Sequence, residues 1–189
     1  MALAASPEQD YRDGDRSFRR GDVVAAMKQL ARAADAGHTK AQVLLAFILD
    51  QSGYDREAAE RYRQGVAAGS ADAEYGLAGM HLAGEGVERD LERAMALFRS
   101  AASRGHGPST VALAQAYLNG TLAADGDAAN VGKLLERAAE LGHAPALLAL
   151  ARGFEEGAHG LQPDAQRAGY WKARHDAATG ATSAAATRR

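Results

Sequence analysis

Histidines are the residues of this 189-residue chain whose spacing most invites a chemical reading. His38, His106 and His143 each follow a glycine, at the same point of three similar stretches. Imidazoles repeated in this way could form a metal ridge. Zinc needs nitrogens about 2.0–2.1 Å from one ion, whereas equivalent points on neighbouring helices lie about 8–10 Å apart. The spacing therefore favours a loop histidine whose ring nitrogen meets exposed backbone groups at a repeated junction. Gly84-Glu85-Gly86 begins like a phosphate loop, but position 89 is Arg89, not a third glycine, and a helical pattern precedes it where a strand is needed. Glu155-Glu156 fits a solvated helix face better than an acid–base dyad. G-x-S-x-G, H-E-x-x-H and P-loop motifs do not occur. No catalytic, cofactor-binding or metal-binding residue is assigned, no cofactor is expected, and the chain is read as a non-enzyme.

The composition narrows the partners. Lysine and arginine number 22 against 24 acidic residues, a formal charge of -2, which removes the electrostatic reason to expect nucleic acid or an anionic membrane. The chain has no cysteine, so disulfides and thiolate metal sites are excluded. A cytoplasmic location is expected, with the periplasm as the alternative if a leader has been removed. The opening MALAASPEQD lacks the basic start and long apolar run of a signal peptide. Val43 to Leu49 is the longest apolar run, far below the roughly 18 residues that a membrane-spanning helix needs. Much of the apolar content is alanine, which suits closely approaching helices.

What positions these residues is an internal repeat. Residues 73–105 and 109–142 align with Leu77-Ala78 on Leu113-Ala114, His81 on Tyr117, Gly84 on Gly120, Asp90 on Asp127, Leu97 on Leu134 and Ala101-Ala102 on Ala138-Ala139. Looser copies occupy 41–69 and 146–178, and a first unit occupies about 7–37. Closing glycines fall at 37, 69, 105 and 142, and aspartates 22, 55, 90, 127 and 164 keep the same beat. Each unit reads as two antiparallel helices. Ala73, Leu77, Ala78 and His81 form the stripe of a first helix. Gly84 suits a helix C-terminus with positive φ, Gly86 lets the loop turn, and Val87 packs back. Asp90 caps the second helix, whose buried stripe is Ala94, Leu97, Ala101 and Ala102, and Gly105 ends it. Residues 1–6 are expected to be flexible, 7–178 to form the repeat domain and 179–189 to be a disordered tail.

The unit resembles the Sel-one-like repeat family, relatives of the tetratricopeptide repeat, with the pattern A-x3-L-G-x2-Y-x2-G-x-G-V-x2-D-x3-A-x2-W-x3-A-A-x2-G. Residues 73–105 follow it from Ala73 through Gly84-Glu85-Gly86-Val87 and Asp90 to Gly105, with His81 at the tyrosine and Leu97 at the tryptophan position. Trp171 stands at the tryptophan position of the last unit, the first unit is closer to an ordinary tetratricopeptide repeat, and the composition suggests a bacterial source. The resemblance implies an all-α, right-handed α-α superhelical solenoid of about five antiparallel helix pairs. It also implies an adaptor or scaffold that binds a protein or peptide in a concave groove lined by first helices. Carried over by register, the groove comprises Arg12, Arg16, Arg19, Lys40, Phe47, Tyr75, Leu82, Gln115, Leu118, Arg152 and Glu155, with Val43, Val111 and Leu148 beside them. The competing reading makes those three residues core and the arginines a solvated face. The alternative function is that of cysteine-rich relatives, binding or hydrolysis of β-lactam or cell-wall compounds. Partner identity and oligomeric state are not legible.

Overall fold

The computed structural model describes residues 6–122 and 128–180. Those residues form ten α-helices and no strand. First helices are α1 (Pro7–Arg19), α3 (Thr39–Gln51), α5 (Ala71–Ala83), α7 (Gly107–Leu118) and α9 (Ala144–Glu156). Second helices are α2 (Val23–Asp35), α4 (Asp55–Ala67), α6 (Leu91–Ser103), α8 (Ala128–Glu140) and α10 (Ala165–Thr179). Each first helix packs on the second helix that follows it. The helices gather into two compact units, α1–α6 and α7–α10. Residues 1–5 and 181–189 lie outside the described residues, so most of the expected flexible start and tail does too.

Short polar side chains start these helices. Ser6, Asp22, Ser70 and Asp90 each accept a hydrogen bond from a backbone N–H three residues on, and Asp164 accepts two. Gly84 and Gly105 hold φ of 79° and 85°, the left-handed conformation that costs glycine least, as their position at helix ends requires. The beat of five aspartates is not uniform. Asp55 is the first residue of α4, after Tyr54, which makes no side-chain cap. Asp127 lies outside the described residues.

The core of the first unit is built on Ala26, Leu30, Ala33, Ala41, Ala46, Ala58, Ala59 and Ala73, all fully buried. Small residues bring the backbones together. A Cβ added at Gly65 would lie 2.7 Å from that of Ala73, and one at Gly14 would lie 2.6 Å from Leu30 Cγ. Gly14 is thus the socket for Leu30, whose burial contributes about 1.5–3 kcal/mol. Val87 packs against this core, as expected of the loop after α5, and so does Leu97. In the second unit Leu135, Leu147, Leu150, Phe154 and Trp171 form the centre. Here Phe154 lies under the Arg167 guanidinium, 4.0 Å from its ring centroid.

Candidate binding surface on the first helices

The helices α1, α3 and α5 each have 13 residues, so equal positions can be compared directly. Position 5 is Tyr11, Val43 and Tyr75, and in α7 and α9 it is Val111 and Leu148. Position 9 is Asp15, Phe47, Gly79, Gln115 and Arg152, and position 12 is Phe18, Asp50, Leu82, Leu118 and Glu155. Position 2 is Glu8, Lys40, Asp72, Pro108 and Pro145. Positions 2, 5, 9 and 12 fall on one face of a helix. Lys40, Phe47, Tyr75, Leu82, Gln115, Leu118, Arg152 and Glu155 all belong to it. Within the first unit α1 approaches α3 and α3 approaches α5, so these faces are neighbours there.

Arg12 and Arg16 stand off it, at positions 6 and 10, while Arg19, at position 13, borders it one turn on from position 9. Position 6 of α5 is Gly76, which abuts Tyr62 of the preceding α4. Position 10 is Ile48 in α3 and Met80 in α5, each 2% exposed. No described helix precedes α1, and its three arginines are exposed. Each is paired within α1, Arg12 with Glu8, Arg16 with Asp13 and Arg19 with Asp15. Exposed pairs of this kind contribute little.

Phe47 is 43% and Tyr75 41% exposed. Leu82 and Leu118 are half-buried, and Lys40, Gln115, Arg152 and Glu155 are exposed. Val43, Val111 and Leu148 are also half-buried, between the two readings of them. Phe47 meets only the edge of Phe18 among the rings, 6.2 Å away. Tyr75 is more tied down, against Phe98 at 5.6 Å and His106 at 5.4 Å.

The junction histidines explain that restraint. His38 Nδ1 accepts from Ala41 N–H at 3.2 Å and caps α3. Its Nε2 lies 3.0 Å from Glu8, and its ring stacks on Tyr11 at 4.6 Å. His106 repeats the pairing, with Nε2 3.1 Å from Asp72, and its ring meets Tyr75 tilted at 54° where His38 and Tyr11 stack. An acid at position 2 and a tyrosine at position 5 therefore hold the histidine of the next repeat. The Glu8 carboxyl is held below its usual range, first by the His38 hydrogen bond and then by Arg12. Burial pushes the Tyr11 phenol up, with Asp15 adding to it. In the second unit Pro108 and Val111 offer His143 neither group. Its Nδ1 is buried without a hydrogen-bond partner, and desolvation lowers its pKa. His81, at the tyrosine position of the repeat, is buried and pairs Nδ1 with the Glu88 carbonyl at 3.1 Å, a packing role.

Position 4 carries a feature that sequence reasoning missed. Asp10, Gln42, Glu74 and Thr110 are all buried there. Asp10 accepts from Arg32, through Nε at 3.0 Å and through Nη2. Glu74 accepts from Ser100 Oγ at 2.8 Å and from Arg104, which also donates to the Gly69 carbonyl at 2.7 Å. Polar letters at one fixed helix position were the available signal.

Comparison with known proteins fits this arrangement. The Sel1 repeat model matches residues 71–106, 108–143 and 144–171. A Sel1 repeat protein from Oxalobacter formigenes has a TM-score of 0.74 at 22% identity, over 93% of this chain and 73% of that one. The protective antigen c5321 of uropathogenic Escherichia coli, which displays an SLR fold, has a TM-score of 0.73 at 22% identity. That match covers 89% of this chain but only 38% of the antigen. MamA has a TM-score of 0.56 at 16% identity, with 91% of each chain covered. No match was found among curated proteins. Three matched repeats in register with α5–α6, α7–α8 and α9–α10, on an all-α solenoid of helix pairs, show that the chain belongs to the Sel1 repeat family.

Proposed function

We propose that the chain is a non-enzymatic adaptor that holds a protein segment on the face made by positions 2, 5, 9 and 12 of the first helices α1, α3 and α5. Sel1 repeats are in general protein-interaction scaffolds. The observation that carries the finer reading is the exposure of Phe47 and Tyr75 on neighbouring helices of one unit. Large side chains that could be covered are left to solvent where first helices approach each other. Aromatic residues of this kind carry most of the energy in interfaces. Leu82 extends the apolar floor, and Lys40 and Asp72 at position 2 supply charge at one edge. In the second unit the same positions present Gln115, Leu118, Arg152 and Glu155. The arginines of α1 lie beside this face and bear on association rate through charge.

The test uses a photo-crosslinking residue in place of Phe47 or Leu82, and at Val24 of α2, which is 80% exposed, as control. Adducts with the same partner at 47 and 82 but not at 24 are expected. Phe47→Ala should then weaken that partner by about 1–3 kcal/mol with little change in melting. Tyr75→Ala is a poorer probe, because the ring also holds His106. Crosslinking at Val24 alone, or unchanged binding by Phe47→Ala, would place the interaction elsewhere.

A further inference from the structure

A cleft of about 470 Å³ opens in the first unit where α2 and α4 flank α3. Leu45 and Leu49 make its floor, Met27 and Ala31 one apolar wall, and Glu57, Glu60, Arg61 and Gln64 the other. Leu45 and Leu49 are positions 7 and 11 of α3. At 3.6 residues per turn they lie on the side opposite positions 2, 5, 9 and 12, so this surface is distinct from the face proposed above.

The rim is acidic. Asp35, Glu57 and Glu60 give three carboxylates against one guanidinium, that of Arg61, so the lining carries a net charge of -2. Arg61 is occupied by Asp35, to which it donates at 2.6 Å from α4 to α2. Glu60 holds the exposed Arg63 at 3.2 Å, and Glu57 projects from the first turn of α4. From Met27 to Asp35 the wall runs about 12 Å, the length of two helical turns.

We propose that this cleft docks a basic amphipathic helix of a partner protein. Aliphatic side chains one turn apart would sit over Leu45 and Leu49, between the α2 and α4 walls, and lysines or arginines beside them would face Glu57 and Glu60. The charge argues for this occupant, since a lining with three carboxylates against one guanidinium, beside an apolar floor, disfavours nucleic acid, anionic lipid and acidic peptides alike.

The test titrates the full chain against a fluorescein-labelled peptide of leucine and lysine at amphipathic helical spacing, and against its leucine–glutamate counterpart. Fluorescence anisotropy at physiological salt is the readout. Saturable binding of the lysine peptide and none of the glutamate peptide is expected. The double substitution Glu57→Lys with Glu60→Lys should weaken binding at least about tenfold, and Ala31→Phe, which fills the cleft, should do the same. Phe47→Ala should bind the peptide as the unsubstituted chain does. That control separates this cleft from the first-helix face, so either surface can fail alone. Equal binding of both peptides, no binding of the lysine peptide, wild-type affinity after charge reversal, or loss on Phe47→Ala would each overturn the proposal. If Ala31→Phe does not fold, the exposed charge reversal decides.

Discussion

Gly76, at the middle of α5, faces the ring of Tyr62 on α4. A Cβ at Gly76 would lie 2.3 Å from Tyr62 Cε1 and Cζ and 2.8 Å from its hydroxyl oxygen. Ordinary carbon contacts are about 3.5–4.0 Å, so Gly76→Ala is short of room by more than an ångström. Small adjustments cannot absorb that, because Tyr62 is 4% exposed and rigidly planar. Replacing a mid-helix glycine by alanine returns about 1 kcal/mol. Against this, overpacking a core costs about 1–3 kcal/mol, and a rigid ring met at this distance belongs at the upper end. The net loss should be about 1–2 kcal/mol, which lowers Tm by roughly 3–6 °C in a chain of this size. Tyr62→Leu alone should destabilise through the cavity it leaves, but it should also make room for the methyl. The double variant should therefore lose less than the sum, with a coupling of about 1–2 kcal/mol. Circular dichroism melts and urea titrations of the four proteins give the cycle. A Gly76→Ala protein that melts at or above the wild type, or an additive cycle, would refute this packing between repeats.

Capping separates the repeated aspartates. Asp90→Ala should cost about 1 kcal/mol in urea titration, whereas Asp55→Ala, which removes no side-chain cap, should cost clearly less; equal losses would mean Asp55 caps α4. Burial pushes the Tyr62 phenol well above its ordinary value. The fold therefore favours the neutral phenol, and its stabilisation is whole below the unfolded value, about 10, and lost as pH rises beyond it. Absorbance titration should show Tyr62 ionising only as the chain unfolds. His143 is shifted the other way, below 6.5, by desolvation. The fold favours neutral imidazole, so this stabilisation is present above the ordinary histidine range and lost as pH falls through it. Proton resonances of His143 that titrate at or above the ordinary value would contradict the burial argument.

The fold was legible because the repeat writes its own punctuation. Glycines at 37, 69, 105 and 142 require positive φ and mark helix ends, and small residues such as Ala101-Ala102 mark close approaches. The face at positions 2, 5, 9 and 12 was legible from α3 onward for the same reason. The α1 arginines were harder to place, because charge alternates along the whole helix and gives no apolar stripe to fix its phase. The Ser6-Pro7 start does fix it, and puts Tyr11 at the helix position that Val43 and Tyr75 hold in α3 and α5. The acidic cleft was not legible at all. DREAAERYRQ reads as a solvated face until Met27 and Ala31, far away in sequence, are seen to wall a floor beside it.

The buried polar residues give the repeats two kinds of tie. At position 4, Asp10 and Glu74 reach arginines at the end of the second helix of their own pair, Arg32 in the last turn of α2 and Arg104 just after α6. A hydrogen-bonded carboxylate at that depth is satisfied only when the two helices are in register, so sliding one past the other would strand a buried charge. At positions 2 and 5 the tie runs to the next repeat, where Glu8 with Tyr11, and Asp72 with Tyr75, hold a junction histidine. The same side chains thus fix the stacking and form part of the exposed face. This is why Tyr75 stays 41% exposed yet cannot be removed without loosening His106. It is also why Phe47, which supports no histidine, is the residue on which binding and folding can be separated.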